Sequence, residues 1–214
     1  MHGWGGSKKS FAALSDALSS TYNVTLLDFY GFGETPSAEK PLFVRDYADA
    51  VIEILDKENI EKATFVGHSF GGRVALVLGS EYKERVDKLV LIDAAGVPPR
   101  RGLRYKIRVF IHKVLVKLGF KGLTGSADYA ALPENDRQTF KNIVNEDLTP
   151  CLPEIYAPTL ILWGREDKDT PLYMADVLKE NIINSGLTVL EGGHFAYLSS
   201  HHTVLNAIKY FLKT

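Results

Sequence analysis

The chain has one cysteine, Cys151, in 214 residues. No disulfide can form within it, so a fold held by cross-links is excluded, and the pattern suits a reducing compartment. No apolar run approaches the roughly 20 residues needed to cross a bilayer. The opening MHGWGGS lacks the basic region and apolar stretch of a secretory signal. Net charge is only −1, which leaves no global field to attract nucleic acid. Internal repeats and low-complexity tracts are missing too. These absences predict a cytoplasmic protein with no nucleic-acid partner. The 45% of apolar residues can fill one substantial core.

Two periodicities alternate along the chain. Apolar residues recur at helical spacing over 7–20, where Phe11, Leu14 and Leu18 share a face. They do so again over 44–58, with Val44, Tyr47, Ala48, Val51 and Leu55. Further helices are predicted at 74–82, 172–183 and 197–213. Short continuous apolar runs at 24–29, 63–67, 86–93, 159–164 and 187–192 read as strands buried on both faces. The alternation predicts an α/β fold, a mostly parallel sheet flanked by helices. In such sheets function gathers at the carboxyl ends of the strands. Those ends carry Asp28, His68 and Ser69, Asp93, the stretch from Gly164 to Asp167, and the stretch from Gly192 to His194.

Residues 97–156 interrupt the alternation, which predicts a core of 1–96 and 157–214 with a helical cap inserted between them. Within it, 100–121 carries eight Lys/Arg and no acid. Leu103, Ile107, Phe110, Ile111, Val114, Leu115 and Leu118 would share a helical face. Such a basic amphipathic helix can make weak contact with an anionic membrane surface. The commoner role for such a stripe is to cover an active-site mouth.

The chemistry centres on FVGHSFGG. Gly67-x-Ser69-x-Gly71 lies where a strand pattern gives way to a helix pattern, the context a nucleophile on a sharp turn requires. A serine hydroxyl needs a base to take its proton. His194 directly follows the last strand, in GGHF. His68 neighbours the serine, but its side chain should point away. His112 falls in the insertion, His201 and His202 in the last helix, and His2 in the opening loop. For the acid that orients the imidazole, Asp167 is preferred over Asp169 and Asp93. The order Ser69, Asp167, His194 is that of the strand-to-helix serine nucleophiles. An oxyanion needs backbone N–H donors. Phe70 follows the nucleophile, and Trp4 sits in the glycine-rich loop at 2–6. That loop also reads as a helix-entry turn capped by Ser7. No metal and no cofactor is called for, and the expected partner is a small-molecule substrate.

HGWGGS (2–7), DFYGFGETP (28–36), GHSFGG (67–72), LVLIDAAG (89–96), PTLILWGREDKDTP (158–171) and LEGGHFAYL (190–198) together resemble the α/β-hydrolase superfamily. The resemblance implies a central sheet, a cap after the sixth strand and Ser-Asp-His chemistry. It gives Ser69, Asp167 and His194 those roles and puts Trp4 and Phe70 in the oxyanion hole. The chain most resembles compact, capped members that hydrolyse small esters or carbon–carbon bonds in β-diketone-like acids. A serine nucleophile sets it apart from the dehalogenase and epoxide-hydrolase branches, which use aspartate. The rival expectation is a non-catalytic binding or receptor protein that keeps the fold and pocket. One departure stands out. In the family, HG follows a strand lying between those that match 24–28 and 63–67. Here Met1 directly precedes His2, which predicts an N-terminally shortened sheet. Either a gap opens beside 63–67, or 24–28 shifts sideways to pair with it.

Overall fold

The computed structural model describes residues 1–100 and 133–214. Four strands lie among them: β1 (Ala63–His68), β2 (Val86–Ile92), β3 (Thr159–Gly164) and β4 (Ser185–Leu190). They pair in chain order as one parallel sheet. Along β2, Leu89 and Leu91 enter one core while Val90 and Ile92 enter the other. In β3, Ile161 and Trp163 face the first, and Leu160 and Leu162 the second. This period of two, with both faces covered, is why these strands read as unbroken apolar runs.

Parallel strands joined in sequence by right-handed crossovers keep their connecting helices on one face. That face holds α2 (Val44–Lys57), α3 (Phe70–Glu81) and α5 (Tyr173–Asn181), which enclose the larger core. The chain's two ends supply α1 (Ala12–Ser19) and α7 (His201–Lys213), which pack on each other across the opposite face. A short α6 (Ala196–Ser199) precedes α7. The helices follow from their patterns. In α2 the buried positions are Val44, Tyr47, Ala48, Val51 and Leu55, the residues that share a face at 3.6-residue spacing. Asp46 also accepts the Phe43 N–H ahead of its first turn (2.7 Å). By contrast α3 is buried from Phe70 to Ser80, as befits a helix that is largely apolar all round, Arg73 being the charged exception.

Of the insertion, the described part contains α4 (Glu134–Asn145) and a 3-10 turn at Thr149–Glu154. The Thr139 hydroxyl on α4 accepts the Leu42 N–H (2.9 Å). Leu152 and Ile155 belong to the larger core. The predicted basic helix of 100–121 lies largely outside the described residues. No helix among the described residues is long and apolar enough to cross a membrane.

The strand predicted at 24–29 is not one: these residues join no ladder. An apolar run becomes a strand only where a neighbouring backbone offers partners. Beside the end of β1 that place is taken by the opening residues. The Met1 amino group donates to the Val66 carbonyl (2.8 Å), and the His68 and Gly71 N–H groups donate to the carbonyls of Met1 and His2 (3.1 and 3.0 Å). Residues 24–29 therefore do not shift sideways onto β1. Leu26 and Leu27 instead pack against opposite cores, and Phe29 is buried in the larger one. Side chains take over the backbone's bonding. Phe29 N–H donates to His2 Nε2 (3.1 Å), while the Asp28 carboxylate accepts the N–H groups of Lys8 (2.6 Å) and Glu34 (3.1 Å).

Candidate active site

One residue separates β1 from α3. Ser69 makes the turn with φ 50° and ψ −107°, a conformation that side-chain-bearing residues rarely adopt and that persists only when its surroundings fix it. Its N–H donates to Ile92 O (3.0 Å), and its carbonyl accepts from Gly72, Arg73 and Ala95 (3.0, 3.2 and 3.0 Å). A Cβ at Gly67 would fall on the Gly71 carbonyl, and one at Gly71 on the Met1 carbonyl. The flanking glycines thus provide the room that the sequence pattern implies.

The turn presents Ser69 Oγ 2.9 Å from His194 Nε2, and His194 Nδ1 lies 2.8 Å from Asp167 Oδ2. An ionised carboxylate only accepts, so Nδ1 carries the proton and Nε2 is left to accept the Ser69 O–H. Backbone geometry sets this spacing. Past the end of the β3–β4 ladder, Arg165 N–H donates to Leu190 O (2.8 Å) and Glu166 N–H to Gly192 O (2.9 Å). A Cβ at Gly164 would strike the Gly193 carbonyl. The two loops therefore run in contact, and Asp167 and His194 face each other across them.

Asp167 is buried and well supplied with donors. Its Oδ1 accepts the N–H groups of Asp169 and Thr170 (2.8 and 2.9 Å), and its Oδ2 accepts Thr170 Oγ1 (2.7 Å) besides His194. Burial pushes its pKa up, but the bonds from His194 and Thr170 outweigh this and hold it below the usual range. Burial lowers the His194 pKa, while the bond to Asp167 and its charge raise it further, so the net shift is upward. Asp169, the first rival, is exposed and contributes its backbone N–H. Asp93, the second, is fully buried at the end of β2, with φ 44°. Its Oδ1 accepts Gly164 N–H (2.7 Å), while its Oδ2 has no partner among the described residues. Burial pushes its pKa up to about 7, helped by the charge of Asp167. Ligand atoms of Asp167, Asp169 and His194 lie within 4.8 Å of one another. A cation there would compete with the existing Asp167–His194 bond.

The other histidines divide sharply. His68 Nε2 lies 2.7 Å from the His194 carbonyl. A carbonyl only accepts, so that nitrogen is protonated, and burial pushes the ring's pKa down to about 4. The expectation that His68 simply turns away needs correction: it holds the backbone of His194. His2 bridges two loops as a neutral ring. Its Nδ1–H donates to Gly3 O (2.8 Å) and its Nε2 accepts from Phe29. His201 and His202 open α7, half-buried and exposed. His112 lies outside the described residues.

Trp4 and Phe70 line the same cavity as Ser69 and His194. Their backbone N–H groups have no acceptor among the described residues. The cavity encloses about 710 Å³, with Val97, Phe140, Ile143 and Arg73 also in its wall. Sequence reasoning missed His68, Thr170 and Arg73. Thr170 had a local signal, because an aspartate three residues before a threonine in a turn bonds its backbone. His68 and Arg73 had none, since their partners lie 126 and 73 residues away.

An open parallel sheet, a serine on a strained strand-to-helix turn and an imidazole reaching it from another strand end define a class, the hydrolases built on an α/β sheet. The sequence profile of the alpha/beta hydrolase fold family matches residues 1–112, and the chain belongs to that family. It is 26% identical to the uncharacterized hydrolase YugF of Bacillus subtilis, over 100% of this chain and 88% of that one. It is 27% identical to the pimeloyl-[acyl-carrier protein] methyl ester esterase of Shewanella woodyi, over 97% and 90%. Among solved structures it resembles the meta-cleavage product hydrolase CumD of Pseudomonas fluorescens IP01, with a TM-score of 0.77, 26% identity and coverage of 99% and 88%.

Proposed function

We propose that the protein is a serine hydrolase that cleaves a small, largely apolar ester through an acyl-enzyme. The observation that carries this reading is the unbroken line from Ser69 Oγ through His194 to Asp167, at 2.9 and 2.8 Å. In this reading Ser69 Oγ attacks the ester carbonyl as His194 Nε2 takes its proton. The N–H groups of Trp4 and Phe70 receive the oxyanion. The C–O bond then breaks, and the alcohol leaves with the proton from His194. Water, deprotonated by the same ring, releases the acid and restores Ser69. Asp167 stays ionised and holds the ring's tautomer. The insertion roofs the site, a role supported by Val97, Pro99, Phe140, Ile143 and Val144 in the cavity wall. The lone Cys151 supports a reducing, cytoplasmic setting.

Ser69→Ala should abolish labelling by a fluorophosphonate probe and lower kcat on the order of 10⁴-fold or more. Labelling that survives in this variant moves the nucleophile elsewhere. An unlabelled wild type supports the binding-protein alternative. A second enzymatic reading, cleavage of a carbon–carbon bond in a β-diketone-like acid, is favoured by the likeness to a meta-cleavage product hydrolase. Turnover of a vinylogous diketone acid, set against p-nitrophenyl esters of increasing length, separates the two.

A further inference from the structure

Ester cleavage as set out above leaves one cavity residue without a task. Arg73 lies four residues after Ser69, about 6 Å along the helix axis. It is the one charged side chain in the buried stretch from Phe70 to Ser80, and only 7% of it is exposed. Its Nη1 donates to the Glu146 carbonyl (2.8 Å). Among the described residues no other acceptor and no carboxylate within ion-pair distance meets the guanidinium. A buried cation answered by one neutral carbonyl is costly unless a partner completes it, and perturbed charged groups of this kind cluster in functional clefts. The group still borders the cavity that holds Ser69 and His194. The rest of the wall nearby is apolar: Trp4, Phe70, Val97, Phe140 and Ile143. Burial pushes the Arg73 pKa down to about 10, against the charges of Glu146 and Asp147. At neutral pH it therefore remains a cation.

We propose that Arg73 determines specificity by binding a free carboxylate at the far end of the acyl chain, so that the preferred substrate is a half-ester of a dicarboxylic acid. This rests on the serine-hydrolase reading. The apolar wall would take the methylene chain, and the planar guanidinium, with N–H groups that meet no acceptor among the described residues, suits a carboxylate. A purely structural role, tying α3 to the Glu146 carbonyl, is the competing explanation.

Monoethyl adipate and ethyl hexanoate share a six-carbon acyl chain and differ in the terminal carboxylate, so the ratio of their kcat/KM values reads the contact. The wild type should favour the half-ester. In Arg73→Gln that ratio should fall on the order of 10- to 100-fold, mostly through KM. Arg73→Lys, which keeps a charge but loses the planar fork, should give a ratio between those of the wild type and Arg73→Gln. A wild type that favours ethyl hexanoate, or a ratio unchanged in Arg73→Gln, overturns the proposal and leaves the tether. Binding without turnover is a second arm. Adipate should raise the Tm of the wild type and not that of Arg73→Gln, and no shift in the wild type overturns the proposal. Stabilisation by adipate with no hydrolysis of either ester and no fluorophosphonate labelling sinks the hydrolase reading while leaving the anion contact standing.

Discussion

The loops after β2 and β3 each begin with the end of a buried strand and each carry a buried aspartate, 0% exposed at Asp93 and 5% at Asp167. Their pKa values are pushed in opposite directions. Asp167 sits in a turn that aims two backbone N–H groups and a hydroxyl at it, and an imidazole completes the set. Asp93 has one N–H, from Gly164, and an oxygen with no partner among the described residues. The pKa moves down in the first loop and up to about 7 in the second. Burial is common to both, so it does not choose the direction; the number of donors does, together with the neighbouring charges, His194 beside Asp167 and Asp167 beside Asp93. The ionised group is also the one that contacts His194.

Neutralising each acid in turn should separate their roles. Asp167→Asn should lower kcat/KM on the order of 10³- to 10⁴-fold, because the imidazole loses both its tautomer lock and its counter-charge. Asp93→Asn should cost less than about tenfold, since its carboxylate makes no hydrogen bond to His194 or Ser69. A reversal of that order on any ester would reassign the acid. The pH profile sharpens the same contrast. In the proposed mechanism His194 must be neutral to accept the serine proton, and Asp167 lifts its pKa above the ordinary 6.5. Activity should therefore fall as pH drops through a value above 6.5. In Asp167→Asn the residual activity should show this limb at lower pH, since the bond and charge of Asp167 are lost and burial, acting downward, is opposed only by the charges of Asp169 and Asp93. An unmoved limb would detach Asp167 from His194.

Thr170→Val probes the donors themselves. Losing the hydroxyl that bonds Asp167 Oδ2 should reduce kcat/KM on the order of tenfold; a wild-type rate would show that the remaining donors suffice. The smallest effect concerns stability. With a folded pKa of about 7 against an ordinary 3.8, Asp93 keeps its proton in the native state where the unfolded chain has lost it. The stability this contributes is present at low pH and lost as pH rises from about 4 to about 7. Asparagine does not titrate, so the Tm of Asp93→Asn relative to wild type should climb by about 5 °C between pH 5 and pH 8. A flat difference would mean that Asp93 ionises like any surface acid.

Much of this was legible in the sequence because the relevant signals are local. Ser69, Asp167 and His194 each stand at the end of an apolar run, and Ser69 has glycines two residues away on both sides. The structure brings the three together as that reading expects, and the triad roles are tested by the variants above. Hydrophobicity misled at 24–29. It reports that a segment is buried, not whether a backbone lies alongside to pair with it. Asp93 and Asp167 could be ranked but not told apart in charge, because the donors to each come from turn geometry and from other strands. Arg73 was invisible for a related reason. A cation in an apolar helix is plain to read, but the cavity beside it is assembled from distant pieces of chain.

The glycine turn around Ser69 has a consequence for how this chain can vary. The obstacle to a side chain at Gly67 is the Gly71 carbonyl, and at Gly71 it is the carbonyls of Met1 and His2. Main-chain atoms do not change with the residue they belong to. A clash with a bulky side chain could be relieved by a second replacement elsewhere, but here no such partner exists. Both positions are closed to paired exchanges as firmly as to single ones. Drift around this turn must pass by them, and a library randomised over 67–72 should return functional clones that keep both glycines.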